Sequence, residues 1–136
     1  MTGLDLHSVA RRLREAALAA VDPGLAVARS VRIENGRLEV AGRVYELAAF
    51  ARVWLVGVGK ASRAMSSALV ELLAERLAGG LVVTNERRTG FPFSANVQVL
   101  EASHPLPDER SLAAGRAVAA FLDRVNSDDL VFVLVA

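Results

Sequence analysis

A strand, a glycine-containing turn and a helix follow one another between residues 53 and 73, and this unit constrains the fold more than any other feature of the chain. Residues 53–56 (VWLV) form a continuous apolar run, which is typical of a parallel strand buried on both faces. The turn that follows reads Gly57-Val58-Gly59-Lys60. Such a junction collects backbone N–H groups and the positive end of a helix dipole at one point, so we predict an anion-binding site there.

The helix after this turn is predicted from an apolar stripe at helical spacing, with Ser62, Ser66 and other polar residues largely off the stripe. Gly79-Gly80 is predicted to close the helix. The stripe consists of Ala61, Ala64, Met65, Ala68, Leu69, Leu72 and Leu73.

Further elements alternate along the chain. An amphipathic helix is predicted from residue 6 to the breaker Asp22-Pro23-Gly24, and Asn35-Gly36 indicates a β-hairpin, with a second return at residues 42–47. Buried strands are predicted at residues 81–84, 97–100 and 130–135, and a helix at 108–125. This order predicts an α/β, Rossmann-like, doubly wound and mainly parallel sheet with flanking helices and a small N-terminal β-hairpin.

Composition excludes several function classes. The formal net charge is only +1, so neither nucleic acid nor an acidic membrane surface is an expected partner. No apolar run approaches the ~18 residues of a membrane span, and with no cysteine the chain suits a reducing, cytoplasmic setting. No protein-only metal site is predicted, because cysteine ligands and a His-x-x-x-His spacing are both missing.

Lys60 is the residue of the turn that most needs an explanation, because it is the only lysine in the chain. The turn fits neither of two common phosphate motifs: a Walker A loop is contradicted by Trp54 and Ala61, and a dinucleotide fingerprint by Ser62. Glu86 could nevertheless imitate the ribose-binding acid of the second motif. The glycines could also serve only a tight turn, but a lone lysine where the helix dipole disfavours a cation favours an anionic ligand.

A histidine-proline segment leaves the predicted strand at 97–100 and enters the last helix. Pro105 biases His104 towards an extended conformation, and Asp108 is predicted as the N-cap or as a first-turn carboxylate of the last helix. If the sheet is parallel, this segment lies near the glycine turn, since both follow the carboxyl ends of strands. His104 is therefore a candidate to bind an anion or to transfer a proton, and the alternative is that it packs within a rigid loop.

Four blocks of sequence, in their order and spacing, resemble the ATP-dependent glycerate 2-kinases, the glycerate kinases that carry a MOFRL domain. The blocks are residues 52–61 (RVWLVGVGKA), 79–84 (GGLVVT), 101–109 (EASHPLPDE) and 128–134 (DDLVFVL). The likeness covers nearly the whole chain but only the first part of a family protein several times its size. It implies that residues 1–136 are the N-terminal portion of the kinase's N-terminal α/β domain, with the C-terminal remainder and the second domain as the missing partner.

The resemblance implies transfer of the ATP γ-phosphate to the 2-hydroxyl of D-glycerate, with Mg²⁺, in a cleft between two α/β domains. It makes Lys60 the catalytic lysine, in contact with either substrate or phosphate. Together with the turn and the histidine-proline segment, the predicted substrate- or phosphate-binding residues are Gly57, Gly59, Ser62 and His104. The fragment is expected to be inactive alone. The alternative prediction is a non-catalytic anion- or sugar-phosphate-binding α/β module.

The sequence also departs from the family pattern. Ser103 stands where the family usually has glycine, and residues 85–90 (NERRTG) replace a stretch that often resembles Lys-x-Gly-His. The Ser-Gly-Gly-Gly-Ser loop that follows the fourth strand in the family is not among these residues.

Overall fold

The computed structural model describes residues 5–85 and 94–136, and the elements named below belong to that part of the chain. The helices are α1 (Leu6–Ala20), α2 (Pro23–Ser30), α3 (Ser62–Leu73) and α4 (Glu109–Leu122). The strands are β1 (Val31–Glu34), β2 (Arg37–Val40), β3 (Arg43–Glu46), β4 (Val53–Val58), β5 (Leu77–Thr84), β6 (Val97–Glu101) and β7 (Leu130–Val135). Short 3-10 turns lie at Leu47–Ala49 and Ala74–Arg76.

The main sheet has the order β6-β5-β4-β7, and its neighbouring strands are parallel. Along the chain, β5 and then β6 are added on one side of β4, and β7 is added on the other side of β4. The place between β4 and β7 is therefore a topological switch point, next to which ligands bind in open α/β sheets. This topology confirms the predicted parallel α/β sheet.

Helices cover both faces of the main sheet, as the doubly wound prediction requires. Leu55 belongs to the same buried cluster as Leu69 of α3. Its neighbour Trp54 meets Phe121 of α4 edge to face, with ring centroids 5.4 Å apart. Since successive residues of a strand point to opposite faces, α3 and α4 lie on opposite sides of β4.

The second sheet is small and antiparallel, with the order β1-β2-β3. Asn35 and Gly36 both have positive φ angles, 52° and 79°, as the two-residue turn between twisted strands requires. The hairpin prediction is confirmed, and the second return is β3. Val31 and Leu38 are buried in the cluster that also contains Leu55 and Leu69, so this sheet packs on the main domain.

Helix α2 was missed by the sequence analysis. Pro23 ends α1, as predicted, but it also begins a new helix, because its fixed φ angle and missing N–H suit a first helical position. Asp22 is the N-cap of that helix, and its Oδ1 accepts a hydrogen bond of 2.8 Å from the Leu25 N–H.

The prediction that Gly79 and Gly80 close the helix after the glycine turn is wrong, because that helix, α3, ends at Leu73 and both glycines lie inside β5. Their small size has a packing reason. A Cβ on Gly79 would lie 3.0 Å from the Trp54 ring, and one on Gly80 would lie 3.1 Å from the Leu55 Cβ. The glycines therefore let β5 approach the large side chains of β4.

The predicted stripe of α3 is also partly wrong. Ser62 and Ser66, which were placed off it, are fully buried, whereas Ala64 is exposed. The reason is that the first half of the helix packs beneath the glycine turn, where small side chains fit. Among the helices that the structure describes, none combines the length and apolar character needed to cross a membrane.

Candidate functional site

The carboxyl ends of β4, β5 and β6 border an open cleft of about 170 Å³, which is the candidate site. A larger hollow of about 480 Å³ lies on the outer face of the small sheet, between side chains such as Arg37 and Glu46 that pair with each other at 2.8 Å. We favour the smaller cleft because ligands of open α/β sheets bind at the carboxyl ends of the strands. Its lining consists of Val58, Gly59, Lys60, Val83, Thr84, Asn85, Ala102, Ser103 and His104.

Gly59 is required by the close contact between the turn and the end of β7. Its φ angle is +112°, and a Cβ at this position would lie 1.7 Å from the Ala136 carbonyl oxygen. The Gly59 N–H donates to the Val83 carbonyl at 3.1 Å, and the Ala136 N–H donates to the Val58 carbonyl at 3.0 Å. The Gly59 N–H is therefore already committed to the protein and does not face a ligand unpaired.

Two of the predicted binding residues lie beneath the turn and do not line the cleft. The buried Ser62 hydroxyl is 2.6 Å from the Gly59 carbonyl and 3.0 Å from the Val83 carbonyl, and its single proton is shared between these acceptors. Gly57 packs against Ser66, one turn further along α3, since a Cβ on Gly57 would lie 2.6 Å from the Ser66 Oγ. The structure thus gives Gly57 and Ser62 roles in supporting the turn.

Lys60 lies exposed in the turn, at the wall of the cleft. Among the described residues, its side chain has no ion-pair partner, and the backbone N–H groups of Lys60 and Ala61 have no backbone acceptor. Helix α3 has Ala61 as its N-cap, which contributes no side-chain hydrogen bond, and no acidic residue in its first turn. Its positive end is therefore balanced by no described side chain, and an anion in the cleft would be stabilised.

His104 reaches the cleft on the loop that follows β6. The loop begins beside β5, because the Ala102 N–H donates to the Thr84 carbonyl at 2.9 Å. The Ser103 N–H donates to the Ser111 Oγ at 3.2 Å. His104 itself is exposed. The structure therefore brings Gly59, Lys60 and His104 together around one cleft, as the parallel arrangement predicted.

Asn85 and Ser103 also line the cleft, although the sequence analysis assigned neither of them to a site. The Asn85 Oδ1 is buried and accepts no hydrogen bond in the part of the chain that the structure describes. A buried acceptor without a donor is unfavourable, so a ligand group that donates a hydrogen bond would be favoured there. Its position directly after β5 is the signal that would have identified Asn85.

The described lining of this cleft suits a phosphate or carboxylate better than a protein-bound metal. Lys60 and the uncapped start of α3 suit an anion, and none of the lining residues that the structure describes is a carboxylate. The described residues contain no group of three His, Cys, Asp or Glu side chains that could hold a metal ion. Glu86, proposed above as a ribose-binding acid, lies outside the described residues.

The chain is similar to proteins named as glycerate kinases and to proteins named as putative hydroxypyruvate reductases. It is 29% identical to a glycerate 2-kinase of Pyrococcus horikoshii over 137 residues, covering 100% of this chain and 30% of the relative. It is 36% identical to a putative hydroxypyruvate reductase of Agrobacterium vitis over 131 residues, covering 96% of this chain and 26% of the relative. The chain therefore spans less than a third of the length of these relatives.

A solved structure supports the same relationship. The crystal structure of a glycerate kinase from Thermotoga maritima superposes with a TM-score of 0.71 at 28% identity, covering 96% of this chain and 28% of that chain. The family model of a domain of unknown function, DUF4147, matches residues 9–136. With nearly its whole length matched, this chain belongs to the DUF4147 family.

Proposed function

We propose that the complete protein is a glycerate 2-kinase of the MOFRL-domain family, which transfers the γ-phosphoryl group of ATP to the 2-hydroxyl of D-glycerate in the cytoplasm. Residues 1–136 are then the N-terminal portion of its N-terminal α/β domain, and the remainder supplies the second domain. The observation that carries this proposal is the position of Lys60, which lies without a described ion-pair partner beside an uncapped helix start and His104.

Both substrates of this reaction are anions, and the cleft is suited to anions. Phosphoryl transfer depends mainly on positioning and on stabilising the charge of the moving group. The Lys60 ammonium group supplies a mobile positive charge, and the N–H groups of Lys60 and Ala61 supply fixed donors. Either the ATP phosphates or the glycerate carboxylate would satisfy them.

In the reaction, a bond forms between the 2-hydroxyl oxygen and the γ-phosphorus, the bond to the ADP oxygen breaks, and the hydroxyl proton is released. Lys60 stabilises negative charge in the cleft, and the His104 imidazole is the lining group that can accept a proton or donate to an anionic oxygen. Mg²⁺ would be carried by phosphate oxygens and water, as is usual for this ion, because the described lining offers it no carboxylate.

The test is a coupled assay of the full-length protein with ATP and D-glycerate. Lys60→Ala is expected to lower kcat by roughly 10²–10³-fold, the loss typical of removing one stabilising group from an active site. Arg43→Ala, which removes an exposed cation on β3 away from the cleft, is the matched control and should leave turnover unchanged. Absence of turnover in the wild type, or full activity of Lys60→Ala, would refute the proposal.

The relative named as a putative hydroxypyruvate reductase favours a second candidate, reduction of a three-carbon 2-oxo acid with a nicotinamide cofactor. Two observations count against it: the dinucleotide fingerprint fails at Ser62, and the Gly59 N–H is bonded to Val83. The discriminating measurement is oxidation of NADH or NADPH by the full-length protein with hydroxypyruvate. A non-catalytic binder would instead show calorimetric binding of sugar phosphates with neither activity.

A further inference from the structure

The loop at residues 102–107, which carries Ser103 and His104 to the cleft, is held at both ends by the first turn of α4. Near its start, the Ser103 N–H donates to the Ser111 Oγ at 3.2 Å. At its end, the Asp108 N–H donates to the same oxygen at 3.4 Å. One hydroxyl oxygen thus joins two points of the chain that lie on either side of His104.

A second link runs through Arg110. Its Nη1 donates to the Glu101 Oε1 at 2.9 Å, and its Nε donates to the Asp108 Oδ2 at 2.9 Å. Glu101 is the last residue of β6, and Asp108 is the N-cap of α4. The exposed Arg110 guanidinium group therefore links the two ends of the same loop, as the half-buried Ser111 hydroxyl also does.

The helix itself is fixed where it makes these contacts. The Asp108 side chain accepts hydrogen bonds from the Arg110 N–H at 3.0 Å and the Ser111 N–H at 3.3 Å, which completes a capping box with the Ser111 hydroxyl. Asp108 was predicted as an N-cap, and the structure confirms it. A capping box alone would need no contact with Ser103, which is the bond that reaches the cleft lining.

We propose that Ser111 is a positioning residue for the cleft: its hydroxyl fixes the backbone of Ser103 and thereby the place of the His104 imidazole. The inference rests on the proposed kinase function for its catalytic consequence. A misplacement of about 1 Å at a reacting group can cost roughly 100-fold in rate, so a bond far from the reacting atoms can matter.

The experiment compares Ser111→Ala with Ser111→Thr in the full-length protein, because threonine retains a hydroxyl group. Ser111→Ala is expected to lower kcat/KM roughly 10- to 100-fold, mainly through kcat, and Ser111→Thr to recover most of that loss. Ser30→Ala is the matched control, since the exposed Ser30 hydroxyl donates to the Ala26 carbonyl at the end of α2, away from the cleft. Arg110→Gln is the second variant and should act in the same direction if Ser111→Ala folds poorly.

Two readouts separate this inference from a purely structural role and from failure of the proposed function. If Ser111→Ala loses thermal stability but keeps kcat/KM, the inference is overturned. If the wild type shows no kinase turnover, the proposed function fails, and the NMR resonances of the His104 ring, assigned with a His104→Gln variant, decide the inference. A displacement in Ser111→Ala that Ser111→Thr reverses supports it, and unchanged resonances overturn it.

Discussion

Arg52 and Asp129 form a two-point ion pair that joins the amino ends of β4 and β7. The Arg52 Nε lies 3.0 Å from the Asp129 Oδ1, and the Nη2 lies 2.8 Å from the Oδ2. The Oδ2 also accepts hydrogen bonds from the Trp54 Nε1 at 3.0 Å and the Asn126 N–H at 2.9 Å. The carboxylate is thus buried and bonded to donors of Arg52, Trp54 and Asn126, at the end of the sheet opposite the cleft.

The first prediction concerns stability at acid pH. Hydrogen bonds from Arg52 lower the pKa of Asp129 to about 2, whereas an aspartate in an unfolded chain titrates near 3.9. The carboxylate therefore contributes stability above about pH 4, and this contribution is lost as the pH falls towards about 2. Urea denaturation between pH 7 and pH 3 should show the decline, and Asp129→Asn should make it shallower.

Asp128→Asn is the control for this measurement, because the Asp128 side chain is exposed and, within residues 5–85 and 94–136, the residue is bonded only through its backbone carbonyl, which accepts from the Ala51 N–H. That variant should retain the pH dependence of the wild type. An Asp129→Asn protein whose stability falls as steeply as that of the wild type would contradict the assignment.

The second prediction is a double-mutant cycle between Gly57 and Ser66. A methyl group on Gly57 would lie 2.6 Å from the Ser66 Oγ, so Gly57→Ala should lower the free energy of unfolding by about 1–3 kcal/mol. Ser66→Ala should be neutral or slightly stabilising, because that buried hydroxyl has no hydrogen-bond partner among the described residues. The double variant should recover most of the loss, and strict additivity would be the contrary result in denaturant titrations.

The third prediction concerns Gly59. Gly59→Ala should strongly disturb the turn and the end of β7, because the new methyl group would overlap the Ala136 carbonyl and the φ angle disfavours a side chain. Hydrogen exchange should report faster exchange of the Ala136 N–H in this variant. An unchanged rate there would mean that the turn and β7 are not in contact.

The fourth prediction is a stabilising substitution. Gly115 lies inside α4 with no atom within 4 Å of the Cβ that an alanine would add. Gly115→Ala should therefore raise the free energy of unfolding by about 0.5–1 kcal/mol, through the lower entropy of the unfolded chain. Thermal unfolding measures the effect, and a lower melting temperature would show that this face of α4 is not free.

The fifth prediction separates two roles for Ser62. If its hydroxyl supports the turn, Ser62→Ala should cost about 1 kcal/mol of stability. If it binds a ligand directly, the affinity for inorganic phosphate or D-glycerate should fall while stability stays constant. Paired calorimetric and denaturation measurements distinguish these outcomes. Ser67→Ala, at a half-buried serine of the same helix, is the control variant.

Local patterns were sufficient to predict most of the main sheet, because a buried parallel strand produces an unbroken apolar run in the sequence. The same patterns failed where tertiary contacts decide the outcome. In isolation, a pair of glycines such as Gly79-Gly80 predicts the end of a helix, and only the Trp54 ring and Leu55 packed against them explain why they belong to a strand. The start of α2 was missed because Pro23 was interpreted only as the end of α1.

How much of the site could be predicted depended on the topology of the sheet. The juxtaposition of Lys60 and His104 was predictable, since both follow the carboxyl ends of parallel strands. The burial of Ser62 was not, because helical periodicity describes one face of a helix and not the turn that covers its first residues. The unpaired Asn85 acceptor depends on side-chain contacts that a sequence does not specify.

The unequal attachment of β7 has a consequence for how this domain opens. At its amino end, the Asp129 side chain ties the strand to β4, whereas near the cleft the described ties between the two strand ends are made by backbone, through the Ala136 N–H bond to the Val58 carbonyl and the close approach of Gly59 to Ala136. Because a buried side-chain network is costly to break, the amino end of β7 should open less readily than the end that is tied to β4 by backbone alone among the described contacts. A ligand that bound only the closed arrangement would slow that opening by mass action, and occupancy of the cleft would be readable as slower hydrogen exchange at the end of β7.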